Sequence, residues 1–127
     1  MLDTSVFIAS ETGRSLDAHL LPDEVATSVI TLAELRAGVL AATDAQVRAR
    51  RLATLETVSD LEVIPIDRDA ADAWAVMRVH LAQTGRRINV NDLWIAASAA
   101  SRGLPVVTQD GDFDPVEGVW GLAVIRV

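Results

Sequence analysis

The stretch Asn91-Asp92-Leu93-Trp94-Ile95-Ala96-Ala97-Ser98-Ala99-Ala100 constrains the fold most, because it opens with an acid and then carries no charge until Arg102. Its alanines and serines fall on every side of a helix rather than on one stripe, the pattern of a helix buried all round. Small side chains let such a helix lie close against a sheet. Asp92, in its first turn, meets the positive end of the helix dipole. A carboxylate at the mouth of a core helix is either an N-terminal cap, with Asn91 beside it, or part of a site.

The composition limits what kind of site this can be. With 127 residues, 50% of them hydrophobic, the chain has the size of one domain spanning residues 1–127. It contains no Cys, which excludes disulfides and zinc–thiolate centres. All 11 basic residues are Arg, so the Walker phosphate loop and Schiff-base chemistry are excluded too. A charge at Asp3 and the lack of a long apolar run speak against a signal peptide or membrane span, and a cytoplasmic protein is expected. The net charge of −7 disfavours a polyanionic partner unless several of the acids belong to a cation-holding site.

Read in order, the chain alternates strands and helices. Residues 1–9 form a very short strand, Asp3 at its end, and a helix capped by Thr4 or Ser5 and broken at Gly13. Residues 15–21 suggest a short helical piece in which His19 is a surface residue. Residues 24–30 are β-branched and predict a second strand. Thr31-Leu32-Ala33-Glu34 then matches a capping box, which competes with any site role for Glu34. A helix over residues 44–58 carries Arg48, Arg50 and Arg51 on a solvated face. Residues 61–66 predict a third strand, with Pro65 at an edge or strand end. A helix over residues 69–83 places Trp74 and Met77 at core or subunit-interface positions. Residues 85–90 then bring Arg86 and Arg87 next to Asp92. Residues 104–108 predict a buried strand ending in the acid-rich turn Gln109-Asp110-Gly111-Asp112-Phe113-Asp114, and residues 122–127 a last strand.

This alternation implies an α/β fold, a mostly parallel sheet covered on both faces, with sites at the carboxyl ends of strands. Asp3 and Asp110 fall at such ends. Glu34 follows the second strand, and the short Gly103-Leu104-Pro105 connection puts the start of the Asp92 helix at the same edge. Four acids from distant segments therefore meet on one rim. Carboxylates crowded together repel unless a cation or protons neutralise them. Oxygen donors alone suit Mg²⁺ or Mn²⁺, the ions of phosphate-ester hydrolysis. On this reading the helix over residues 69–83 starts at the carboxyl edge, so residues 85–90 are expected to be extended, crossing roughly 20 Å back.

Four motifs carry a resemblance across essentially the whole chain: Leu2-Asp3-Thr4-Ser5, Thr31-Leu32-Ala33-Glu34-Leu35, Asn91-Asp92-Leu93-Trp94-Ile95-Ala96-Ala97 and Val107-Thr108-Gln109-Asp110-Gly111-Asp112-Phe113. In this order they resemble the signature of PIN-domain ribonucleases, and in size and wording the VapC-type toxins of toxin–antitoxin pairs. The resemblance implies a three-layer α/β/α sandwich, a homodimer, Mg²⁺- or Mn²⁺-dependent endonucleolytic cleavage of RNA, and a VapB-like antitoxin partner. It implies catalytic and metal-binding roles for Asp3, Glu34, Asp92 and Asp110, with Asp112 a fifth metal contributor. Thr4, Ser5, Asn91 and Thr108 would orient those carboxylates or water. Arg86 and Arg87, with some of Arg48, Arg50 and Arg51, would meet RNA phosphates. Other acidic Mg²⁺-binding α/β domains fit less well. A receiver module needs a late Lys, and a haloacid-dehalogenase-like phosphatase needs an acid where Ser5 stands. A catalytically silent interaction module is the alternative from a different class.

Overall fold

The computed structural model describes residues 1–127, and its sheet is built from very short strands. Strands β1 (Ala26–Ser28), β2 (Glu62–Ile64), β3 (Val106–Thr108) and β4 (Val124–Arg126) are each 3 residues long. β1 pairs with β2 and β3 with β4, both parallel, in the registers Ala26↔Glu62 and Val106↔Val124. The two pairs are joined by the first residues of the chain, where Leu2 bridges to Thr27 on one side and to Val107 on the other. Leu2 N donates to Ala26 O at 2.8 Å, Val107 N to Met1 O at 2.8 Å, and Asp3 N to Val107 O at 3.1 Å. The expected first strand is thus a single bridging residue, because helix α1 (Thr4–Thr12) begins directly after Asp3.

Helices α4 (Arg68–Thr84) and α5 (Val90–Ser101) cover one face of the sheet. Helices α1, α2 (Val29–Ala41) and α3 (Ala45–Ser59) cover the other. The period-2 alternation of strand side chains feeds both layers. Met1 and Val106 join the core under α4 and α5, while Leu2 and Val107 join Val6, Phe7, Leu35, Leu55 and Val58. The result is a three-layer α/β/α sandwich with a parallel sheet, in agreement with the alternation in the sequence. Helix α5 is the most enclosed of the helices: Ile95, Ala96, Ala97 and Ala99 have no exposed surface. No helix is long and apolar enough to cross a membrane.

Three local expectations are corrected. The cap of α1 is Asp3 itself, not Thr4 or Ser5. The cap of α2 is Ser28, whose Oγ accepts Thr31 N at 3.0 Å, so the helix starts earlier than the Thr31-to-Glu34 box implied. Glu34 then lies in the second turn, too far along to reach back to the cap, and no capping box forms. The third correction concerns residues 85–90. Arg102 pairs with Asp67 at 3.0 Å, and Trp74 stacks on Trp94 with centroids 5.0 Å apart. α4 and α5 are therefore an antiparallel hairpin, turned at Gly85 in the left-handed region (φ 66°), and α4 already ends at the site rim. The chain reverses before α4 rather than after it, which strands only about 10 Å long make easy.

Enclosure of α5 carries a testable cost. Ala97→Leu, which adds volume at a position with no free space, should destabilise the protein by about 1–3 kcal/mol in urea unfolding. Ala75→Leu, on the exposed side of α4, should change stability by less than about 0.5 kcal/mol.

Candidate active site

The carboxyl edge of the sheet gathers the acids, and each is placed by the backbone event at its position. Asp3 stands where the central bridge becomes α1. Its side chain is 4% exposed, and as N-cap its Oδ1 accepts Val6 N at 3.4 Å. Ser5 Oγ donates to Oδ1 at 2.7 Å and Thr108 Oγ1 to Oδ2 at 3.1 Å. Thr108 is the last residue of β3, fully buried, and also lies 3.3 Å from Asp110 Oδ1. One hydroxyl proton cannot serve both carboxylates at once. Ser5 Oγ also accepts Gln109 N at 2.9 Å, tying α1 to the acidic turn.

Glu34 and Asp92 approach from the helices. Glu34 Oε2 accepts a short hydrogen bond from Thr4 Oγ1, and Oε1 accepts Asn91 Nδ2 at 2.9 Å. That bond links the second turn of α2 to the first turn of α5. Asp92, one residue on, is half-buried and opens on a cleft of about 470 Å³ lined also by Arg87, Asn89, Gly111 and Asp112. Asp110 and Asp112 are exposed on the turn after β3, where Asp112 N donates to Asp110 Oδ1 at 3.4 Å.

The electrostatics of this rim are unbalanced. Burial raises the Asp3 carboxyl to about 6, with the Asp110 charge adding to the effect and the hydrogen bonds from Ser5, Thr108 and Val6 opposing it. Burial raises Asp92 to about 7, helped by the charges of Asp112, Glu34, Asp3 and Asp110. The four ion pairs of the protein are Arg50–Glu11, Arg102–Asp67, Arg126–Asp114 and Arg126–Glu117, so none of the rim acids has a cationic partner. Neutral hydroxyls and amides hold them instead. No three acids come close enough to form a closed cage for an ion by themselves. Hard oxygen donors, mutual repulsion and an open arrangement fit a Mg²⁺-like ion, which keeps several waters and takes few protein ligands.

Sequence reasoning brought these acids to one edge, and the structure places Asp3, Glu34, Asp92, Asp110 and Asp112 there, with Thr4, Ser5, Asn91 and Thr108 bonded to or beside them. Arg86 and Arg87 are exposed at the α4–α5 turn, Arg87 on the wall of the Asp92 cleft. The arginines of α3 are otherwise engaged. Arg48 donates to Ala42 O at 2.6 Å, Arg51 to Gly38 O at 2.7 Å, and Arg50 pairs with Glu11. Gln109 was not singled out from sequence. Its amide donates to Ser15 O at 3.1 Å and Val127 O at 2.7 Å, pinning the acidic turn. Thr31, a cap residue in the local motif, has its Oγ1 3.5 Å from Thr4 Oγ1, the hydroxyl that also donates to Glu34.

The chain can now be compared with known proteins. The PIN domain family matches residues 1–119. Ribonuclease VapC5 of Mycobacterium tuberculosis (strain ATCC 25618 / H37Rv) is 62% identical over 127 residues, 100% of this chain and 94% of that protein. Ribonuclease VapC4 of the same strain is 40% identical, covering 89% of this chain and 87% of its own. Among solved structures, a crystal structure of VapBC-5, a member of the VapBC family of toxin–antitoxin systems from Mycobacterium tuberculosis, superposes with a TM-score of 0.93 at 60% identity. It covers 99% of this chain and 96% of that one. A family match over nearly the whole length, and close relatives that share both sequence and fold, place this chain in the PIN-domain family, among the VapC ribonucleases.

Proposed function

We propose that this protein is a Mg²⁺- or Mn²⁺-dependent endoribonuclease that hydrolyses RNA phosphodiesters as the toxin of a VapBC-type pair, held in check by a VapB-like antitoxin. The observation that carries the metal requirement is the rim itself: five acids, two of them with strongly raised pKa values, and no ion pair to any of them. The nuclease class and the antitoxin come from kinship with the VapC ribonucleases and from the VapBC-5 structure. A homodimer in the cytoplasm is part of the same reading.

Asp3, Glu34, Asp92 and Asp110, with Asp112 at the margin, would hold the ion. When bound, it would lower the pKa of the attacking water and offset charge on the leaving oxygen. The chain's own contribution is orientation. Ser5 and Thr108 fix both oxygens of Asp3, and Thr4 and Asn91 fix both oxygens of Glu34. Each hydroxyl or amide donates to a carboxylate, which favours the ionised form needed to hold a cation. Arg86 and Arg87 would supply the positive surface for RNA phosphates that an acidic chain otherwise lacks.

The direct test is cleavage of total RNA by the antitoxin-free protein in a Mg²⁺ and Mn²⁺ titration. Discrete cuts should appear with metal and vanish in Asp92→Asn. No cuts under any metal, with the fold intact, would defeat the reading. Thr108→Val, which keeps the volume and removes one hydroxyl from Asp3 and Asp110, should lower metal affinity or activity about 10–100-fold.

The raised carboxyls also set a pH dependence that needs no substrate. For Asp3 and Asp92 the folded pKa lies above the unfolded value. Their contribution to stability is therefore full below about pH 4 and is lost as pH rises through about 6 and 7. The melting temperature of the metal-free protein should fall between pH 5 and 8. Mg²⁺ should restore it more at pH 8 than at pH 5, because protons compete with the ion. Equal Mg²⁺ stabilisation at both pH values would contradict this.

A further inference from the structure

Beside the acidic cleft lies a second cavity of about 540 Å³, framed by the α4–α5 hairpin, that none of the site chemistry above uses. The two hollows share Arg87 and Ile88, so they lie side by side. Their linings differ sharply. The first presents carboxylates. The second presents three guanidinium groups, from Arg78, Arg86 and Arg87, over an apolar floor that includes Leu81, Ile88 and Leu93.

These three arginines line one cavity, and none of them has a carboxylate within ion-pair distance. Arg86 reaches only the backbone oxygen of Asp114, at 3.3 Å. Arg78 and Arg87 are exposed and make no hydrogen bond to a protein side chain. Trp74, stacked on Trp94, lines the same cavity.

We propose that this cavity is a nucleotide subsite, which seats the RNA residue next to the phosphodiester bond to be cut. The proposal rests on the endoribonuclease reading and extends it by naming where sequence preference is set. The arginines would take the flanking phosphate. The apolar floor would receive the face of an unpaired base, as base-stacking surfaces do on single-stranded RNA. A protein segment is the less favoured occupant, because the compartment adjoins the acidic cleft across Arg87 and Ile88, next to where the substrate is cut. Arg78 thereby becomes a substrate-binding residue and the apolar floor the specificity-determining surface, although neither touches the acids.

Two variants of the full chain test this. Arg78→Gln removes a charge at an exposed position, and Ala82→Trp fills the cavity from its exposed wall without changing charge. Each is assayed with single-stranded RNA oligonucleotides of randomised sequence, for KM, kcat, cut positions and the dependence of KM on NaCl, and its fold is checked by thermal melting. The expectation for Arg78→Gln is a several-fold rise in KM and a salt slope shallower by roughly 0.7, one phosphate contact on a single strand. Ala82→Trp should raise KM roughly tenfold or more and change the base preferred beside the cut, at unaltered salt slope. Folded variants with unchanged KM, cut positions and salt slope would overturn the subsite while leaving the nuclease reading standing. The same unchanged cleavage with a shift in oligomeric mass would overturn it in favour of a protein contact. A parent protein that neither cuts nor binds the oligonucleotides would remove both.

Discussion

Everything in this fold depends on a three-residue insertion. Met1, Leu2 and Asp3 lie between two strand pairs that do not pair with each other, and the backbone bonds of Leu2 and Asp3 to Ala26 and Val107 turn them into one sheet. The same step places Asp3 at the carboxyl edge and starts α1 with that residue as cap. Assembly of the sheet and burial of the first acid are thus a single event. The protein cannot form its centre without also forming the least solvated member of its acidic rim.

The cost of that burial explains how the rim is built. A carboxylate that is 4% exposed needs either a cation or a full set of donors, and the protein supplies donors: two hydroxyls and a backbone N–H for Asp3, a hydroxyl and an amide for Glu34. These groups fix direction without cancelling charge. Asp92 has less of this support and is the more strongly raised of the two acids. Helix α5 makes the arrangement rigid, because its charge-free body is locked in the core while its first turn carries Asn91 and Asp92 to the rim. In the same hairpin, the turn that returns the chain from α4 to α5 presents arginines immediately beside the acids. Negative and positive compartments therefore lie side by side, and this local arrangement differs from what the net charge alone suggests.

Much of this was legible in the sequence, for physical reasons that differ from place to place. The absence of charge between Asp92 and Arg102 can be satisfied in few ways other than burial, and α5 is buried as that pattern required. The carboxyl-edge rule brought the four acids together from strand order alone. Glu34 was harder, because Thr31-x-x-Glu34 is a good local match to a capping box. The choice fell to Ser28, whose strand position made it the better cap, and that outcome depends on sheet pairing invisible in a local motif. The reversal before α4 was missed for a similar reason. Stacking of Trp74 on Trp94 and pairing of Arg102 with Asp67 fix the hairpin, and both contacts are tertiary. Arg78 drew no notice in sequence, since only the hairpin brings it to the same cavity as Arg86 and Arg87.

If the acidic rim is a cation site, its occupancy displaces protons from Asp3 and Asp92. Calorimetric titration of Mn²⁺ into the antitoxin-free protein in buffers of different ionisation enthalpy tests it most directly, because it counts ions and released protons together. Saturable binding should be lost in Asp3→Asn and Asp92→Asn, with more protons released per ion at pH 6 than at pH 8. Binding that survives in both variants, or that releases the same number of protons at both pH values, would contradict the account.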